Sequence, residues 1–226
     1  MRFSENHSVK AVVFDFDGTL AVLNIDFGLM RERVREWVIG FGVAEERIKE
    51  KYLLEIIDEV QRLLKEEKRE YDAERFYQGA HQILREVEFE AASGWKLIPG
   101  SIETLTYLRQ NGIKVGIVTR NCEEAVRRVF PNINAFCDAF VSRNSVKRVK
   151  PHPDHLTSVL NVLHVSGDET VMVGDHVLDI LAGKGVGMRT IGVLTGYIKR
   201  EEFEKAGADH ILGNISEVRT LMEGKP

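Results

Sequence analysis

The sequence lacks the features that mark several classes of protein. It has only two cysteines in 226 residues, Cys122 and Cys137. Neither has a second cysteine or a histidine at the short spacing of a zinc site or a disulfide framework, so we expect two reduced thiols. No apolar run approaches the length of a membrane-spanning helix, which excludes an integral membrane protein of the helical kind.

The chain also lacks a large excess of charge of either sign. Lysine and arginine total 31 against 35 acidic residues, a net charge of −4 at pH 7. Because no summed positive field is present, neither nucleic acid nor an anionic membrane is an expected partner. Residues 1–8 contain no apolar stretch of the signal-peptide kind, so we expect a cytoplasmic location.

Short apolar runs are what the sequence does contain, and they alternate with segments of helical periodicity. The runs cover residues 9–14, 113–119, 170–174, 190–194 and 209–212. Continuous apolar strands that alternate with helices are typical of a parallel sheet with both faces covered. The sequence therefore predicts a doubly wound, Rossmann-like α/β fold, in which ligands bind beyond the carboxyl ends of the strands.

One long stretch, from about residue 27 to residue 92, has no strand-like run. Its apolar residues recur at helical intervals among many charged residues. They include Val34, Val38, Leu53, Leu54, Ile56, Ile57, Val60, Leu63 and Leu64. This pattern predicts an all-helical domain, residues 23–96, inserted into a core of residues 1–22 and 97–226.

The return to the core is marked by Pro99 and Gly100, which are typical of a boundary. A helix is predicted over residues 101–110, with Asn111 and Gly112 as its stop signal.

An acidic pair, Asp15 and Asp17, directly follows the first predicted strand, and Gly18 permits a tight turn there. Alternation along an extended strand would place both carboxylates on one face. Adjacent carboxylates repel each other unless a cation lies between them, and magnesium prefers such hard oxygen ligands together with water and phosphate. The alternative interpretation is an acidic turn, or an aspartate that caps a helix.

Other strand ends and one loop add a hydroxyl group, an ammonium group and further carboxylates. The residues are Thr119, Lys150, Asp175 and Asp179. Alone, Thr119 would be interpreted as a β-branched strand residue and Lys150 as a surface lysine. Because carboxyl ends of parallel strands share one edge of the sheet, the set as a whole supplies what phosphoryl transfer needs.

These residues together resemble the haloacid dehalogenase-like hydrolase superfamily over nearly the whole chain. Residues 15–20 are similar to its first motif, Thr119 to its second, Lys150 to its third, and Gly174 with Asp175 and Asp179 to its fourth. The helical insertion is similar to the cap of the phosphoglycolate phosphatase-like branch. The resemblance implies a Rossmann-like core whose cap closes over the strand ends and selects the substrate.

The resemblance and the chemistry imply the same roles for the acidic residues. Asp15 would attack phosphorus to form an aspartyl-phosphate, and Asp17 would protonate the leaving oxygen and later activate water. Magnesium would be held by Asp15, the main-chain carbonyl of Asp17, and Asp175. Asp179 would be either a metal-site residue or a neighbour of the ligands.

The remaining predicted site residues concern the phosphoryl group. Thr119 and the amide after it would donate hydrogen bonds to a phosphoryl oxygen, and Lys150 would compensate its charge. Arg120 and Asn121 would contact substrate, and Thr19 would support the turn beside the phosphate through its hydroxyl group. The nearby histidines are interpreted mainly as exposed or capping residues. They are His152, His155 and His176.

Several functions are compatible with this set. Asp17 favours a phosphate ester over a halide, because an alkoxide leaving group needs a proton. A phosphosugar mutase would share the aspartyl-phosphate, whereas a catalytically idle relative would lack one of the motif residues, and none is lacking. We expect a monomer or homodimer that hydrolyses a small phosphorylated metabolite. Residues 21–27 lack the Asp-Ser that many relatives carry, so phosphoglycolate is only one candidate beside sugar phosphates.

Overall fold

The computed structural model describes residues 9–223. Residues 1–8, on which the expected absence of a signal peptide depends, lie outside this range. The strands are β1 (Ala11–Asp15), β2 (Ala21–Val22), β3 (Lys96–Leu97), β4 (Lys114–Val118), β5 (Ala139–Val141), β6 (Thr170–Gly174), β7 (Arg189–Val193) and β8 (His210–Leu212). Six of them form a parallel sheet in the order β5-β4-β1-β6-β7-β8.

The first strand along the chain lies in the middle of this sheet. β1 pairs with β4 on one side and β6 on the other, with Asp15 opposite Val118 and Phe14 opposite Val173. All five residues of β1 are buried, as expected when helices cover both faces. The predicted doubly wound fold is confirmed, and each of the five predicted strands is present. β5 was not predicted.

The helices are α1 (Phe27–Gly40), α2 (Leu53–Glu66), α3 (Glu70–Ala91), α4 (Ser101–Gln110), α5 (Glu123–Val129), α6 (Pro153–Leu163), α7 (Val177–Gly185), α8 (Arg200–Ala206) and α9 (Ser216–Glu223). α4 has the predicted bounds, and Asn111 caps its carboxyl end before Gly112, whose φ is +73°. α6 packs on β4 and β5, and α7 packs on β6 and β7. Apolar side chains such as Val13, Val159 and Met172 form the core there.

The chain divides into two compact units. One unit contains the sheet, with the described residues up to Leu23 and from Gly94 onward. The other is residues 24–93, which comprises α1, α2 and α3. In this helical unit the Trp37 indole N–H donates to the Phe76 carbonyl at 3.0 Å, and the Arg69 guanidinium donates to the Phe41 carbonyl. Within the described range, no helix is long and apolar enough to cross a membrane.

A short antiparallel ribbon lies at both ends of the helical insertion. Ala21 pairs with Leu97, and Val22 pairs with Lys96. This ribbon was not predicted, since two-residue strands carry no periodicity. The pairing fixes the two ends of the insertion next to each other.

Candidate active site

The residues predicted to carry chemistry lie at the carboxyl ends of the central strands. Asp15 is the last residue of β1, Thr119 directly follows β4, and Asp175 directly follows β6. Because β1 pairs in parallel register with both neighbours, these three ends lie at one edge of the sheet.

Lys150 lies in the loop before α6, yet it is only 1% exposed. Its Nζ donates to Asp15 Oδ1 at 2.7 Å and to Asp179 Oδ1 at 2.6 Å. Burial opposes the charge of this ammonium group, but the two carboxylates raise the pKa of Lys150 above its usual value. A buried, positively charged lysine therefore links the end of β1 to α7.

Asp15, Asp175 and Asp179 form a cluster in which one carboxylate oxygen from each lies within 4.8 Å of the others. Burial and the charges of Asp15, Asp179 and Asp17 raise the pKa of Asp175 to about 9. Burial also raises the pKa of Asp15, although Lys150 opposes this shift. These carboxylates exceed the charge that one lysine can compensate, and a divalent cation would relieve the excess.

The carboxylate of Asp175 is enclosed by two glycines and a hydroxyl group. Thr19 Oγ1 donates to Asp175 Oδ1 at 3.2 Å. A Cβ atom on Gly18, whose φ is +81°, would lie 2.2 Å from Asp175 Oδ2, and one on Gly196 would lie 2.1 Å from it. Gly18 in turn accepts a hydrogen bond at its carbonyl from the Thr195 hydroxyl.

Thr195 and Gly196 were missed by the sequence reasoning. The available signal was their position: they directly follow the predicted strand at residues 190–194, at the edge where ligands are expected. Neither residue type is distinctive by itself. Only the tertiary structure shows that this loop meets the first motif.

Asp17 is not one of the three clustered carboxylates. Its Oδ1 accepts a hydrogen bond from the Leu23 amide at 3.0 Å, which orients the carboxylate at the end of β1. It lies near enough to Asp175 to raise the pKa of that group.

The segment after β4 is more tightly held than the sequence suggested. Thr119 is 1% exposed, and its hydroxyl accepts a hydrogen bond from the Asn121 amide at 3.1 Å. Arg120, predicted to contact substrate, donates from Nη1 to the main-chain carbonyl of Lys150. Asn121 is buried, and its carbonyl accepts from the Arg143 amide. Arg120 therefore has a contact with Lys150 that the prediction did not include.

Two of the three histidines are capping residues, as predicted. His152 caps α6 by accepting from the Asp154 amide, and His176 caps α7 by accepting from the Leu178 amide. The interpretation of His155 as an exposed or capping residue was wrong, because it is completely buried. His155 is the third residue of the amphipathic helix α6, and this position in the sequence does not indicate which residues surround its side chain.

The fold and this constellation define a hydrolase class. The haloacid dehalogenase-like hydrolase family matches residues 9–187. The chain belongs to this family, and the resemblance found in its four motifs is confirmed.

Individual relatives are similar over different spans. Pyrophosphatase PpaX from Bacillus mycoides (strain KBAB4) is 32% identical over 122 residues, which is 53% of this chain and 57% of that protein. The chain thus spans little more than half of this relative. PpaX from Anoxybacillus flavithermus (strain DSM 21510 / WK1) is 26% identical over 228 residues, with 95% of this chain and 97% of that protein covered.

The fold is also found in solved structures. A predicted phosphoglycolate phosphatase from Haemophilus somnus 129PT matches 96% of this chain and 99% of its own, with a TM-score of 0.64 and 18% identity. At this identity the likeness concerns the fold alone.

Proposed function

We propose that the protein is a magnesium-dependent phosphatase that hydrolyses a small phosphorylated metabolite through an aspartyl-phosphate on Asp15. The observation that carries the proposal is the buried Lys150, which bridges Asp15 and Asp179 beside the carboxylate of Asp175. A buried ion pair of this kind contributes little net stability. The free energy spent on burying these charges is explained when the charges act on a reacting phosphoryl group.

The first chemical step belongs to Asp15 and Asp17. An oxygen of Asp15 forms a bond to phosphorus, the bond from phosphorus to the leaving oxygen breaks, and Asp17 gives that oxygen a proton. Water then attacks the aspartyl-phosphate as Asp17 takes its proton, which releases phosphate and restores Asp15. Lys150 compensates the charge of the phosphoryl oxygens, and the Thr119 hydroxyl donates a hydrogen bond to one of them.

The donor set fits magnesium. Asp15 and Asp175 would supply carboxylate oxygens, and the cluster has more negative charge than Lys150 balances. The family resemblance adds the main-chain carbonyl of Asp17 as a further ligand. Asp179 already accepts from Lys150 and from the His176 amide, so we assign it to orienting Lys150 rather than to direct coordination. When bound, the ion would offset the charge between the anionic nucleophile and the anionic substrate.

The substrate class rests on the family and the relatives. Because the PpaX relatives are named pyrophosphatases, inorganic pyrophosphate joins phosphoglycolate and sugar phosphates as a candidate. A cytoplasmic location remains a prediction of the sequence.

The test is a screen of phosphorylated metabolites that measures phosphate release and phosphoryl transfer, with magnesium and after chelation by EDTA. We expect magnesium-dependent release of phosphate from at least one small ester or from pyrophosphate. Transfer between sugar phosphates with little free phosphate would instead establish a mutase. No turnover of any compound with magnesium would indicate an idle relative and overturn the proposal.

A further inference from the structure

The main chain of Lys150 is held at both its amide and its carbonyl. The Lys150 amide donates to His155 Nδ1 at 3.2 Å. Its carbonyl accepts from the Arg120 guanidinium, and the carbonyl of Arg120 accepts from Arg143 Nη1 at 2.9 Å. These contacts connect the loop of residues 146–152, which carries Lys150 and is called the lysine loop below, to the segment that follows β4.

His155 makes the second half of this connection with its other ring nitrogen. Its Nε2 lies 3.1 Å from the carbonyl of Val141, the last residue of β5. Because Nδ1 accepts from Lys150, Nε2 carries the proton and donates to Val141. The same Val141 carbonyl accepts from the amide of Thr119. One imidazole thus joins the lysine loop to the strand end that also positions Thr119.

Its surroundings favour this single role. His155 is 0% exposed and both ring nitrogens have partners. Burial and the positive charges of Lys150 and Arg120 lower its pKa to about 3, so the ring is neutral and keeps one donor and one acceptor. An apolar residue would fill the space as well, but it would leave the Lys150 amide and the Val141 carbonyl without these contacts.

We propose that His155 is a positioning residue: it holds the backbone of Lys150 so that its ammonium group meets Asp15 and Asp179. The inference rests on the proposed phosphatase function, since it concerns how that reaction's lysine is placed. The Lys150 side chain has four rotatable bonds, so the position of its Nζ depends on how firmly the Lys150 backbone is held. A displacement of about 1 Å at a catalytic group is sufficient to reduce turnover by roughly a hundredfold.

Three variants separate the two contacts of the ring. His155→Asn keeps an acceptor near the position of Nδ1, His155→Gln keeps a donor near Nε2, and His155→Leu keeps neither. We expect kcat to fall roughly tenfold to a hundredfold in the Gln and Leu variants with KM nearly unchanged, and to stay within about threefold of wild type in the Asn variant. Leu163→Ala, at the far end of α6, serves as a control that loosens the helix without touching the lysine loop.

A second measurement does not depend on activity. Acetylation of lysines by acetic anhydride, read by mass spectrometry, should be slow at Lys150 in the wild type and fast at the exposed Lys199. Lys150 should react several times faster in the Gln and Leu variants and remain protected in the Asn variant and in Leu163→Ala.

The outcomes are distinguishable. If wild-type protein releases no phosphate but the acetylation pattern is as expected, the proposed function fails and the positioning of Lys150 stands. If the fall in kcat is proportional to the fall in melting temperature in all four variants alike, the role of His155 is merely structural. Folded His155→Leu with wild-type kcat and a protected Lys150 would overturn the inference.

Discussion

Asp15 is the residue on which the proposed chemistry depends most directly, because it alone would form a covalent bond to phosphorus. Asp15→Asn keeps the size of the side chain but removes the anionic nucleophile. We expect turnover to fall by about a thousandfold or more, as for a nucleophile within a cooperating set. Steady-state phosphate release at saturating magnesium measures the turnover of both proteins.

The matched control is Asp72→Asn, which removes a carboxylate from a partly exposed ion pair with Arg69. Such pairs contribute little, so this variant should keep wild-type turnover. Substantial activity in Asp15→Asn would contradict the covalent mechanism.

His155 also makes stability depend on pH in a direction that can be worked out. The unfolded histidine takes up a proton near its usual pKa of 6.5, whereas the folded one does so only at about 3. Between these values the unfolded chain binds more protons, so the wild type loses stability as pH falls below 6.5, by about 1.4 kcal/mol per pH unit from this group. His155→Asn lacks this contribution.

Urea unfolding of both proteins at pH 7, 6 and 5 measures the difference. The stability advantage of wild type over His155→Asn should shrink on going from pH 7 to pH 5. Two parallel pH profiles would show that the folded histidine titrates normally.

At the scale of elements, the loop between β7 and α8 contributes a close contact to the site. Gly196→Ala would place a methyl group against the Asp175 carboxylate. Because the obstructing atoms belong to a side chain, the carboxylate can move, and the effect should fall on magnesium affinity rather than on folding. We expect about 10-fold to 100-fold weaker magnesium binding, the range for residues that orient metal ligands.

Titration calorimetry with magnesium gives the affinity, and Gly185→Ala is the control. No atom lies within 4 Å of a Cβ built on Gly185, which belongs to α7, and alanine is a better helix former than glycine. The control should bind magnesium normally. Equal affinity in Gly196→Ala and wild type would show that the loop does not position Asp175.

The elements differed in how well the sequence predicted them. Five strands and the helix Ser101–Gln110 were predicted, because each is visible in the sequence as an apolar run or as a helical pattern. The site residues that follow those strands were found by the same reasoning. β5, the β2–β3 ribbon, His155 and Gly196 were not, since each is defined by contacts with residues distant in sequence.

For the whole molecule, the β2–β3 ribbon predicts that the helical unit can be removed. Val22 and Lys96 are paired antiparallel neighbours, which is the geometry that a two-residue Asn-Gly turn connects. A chain in which Asn-Gly replaces residues 23–95 should therefore fold, and the new Asn retains an amide at the position of Leu23, whose N–H contacts Asp17.

Circular dichroism and cooperative thermal unfolding measure the outcome. The shortened protein should lose helical signal and keep a single cooperative transition. Absence of a transition would show that the sheet unit needs residues 23–95 for its stability. Intact protein prepared in parallel is the reference.

The central place of β1 has a consequence for synthesis on the ribosome. This strand is made first, but its neighbours in the sheet begin only at Lys114 and Thr170. At about 5–20 residues per second, the chain grows for roughly 5–20 s before β4 exists, and the apolar run of β1 has no sheet partner during that interval. Unpaired apolar strands are prone to aggregation, so we expect the nascent chain to need a chaperone that binds short hydrophobic segments. The proposed nucleophile, Asp15, lies in the strand that waits longest for its neighbours in the sheet.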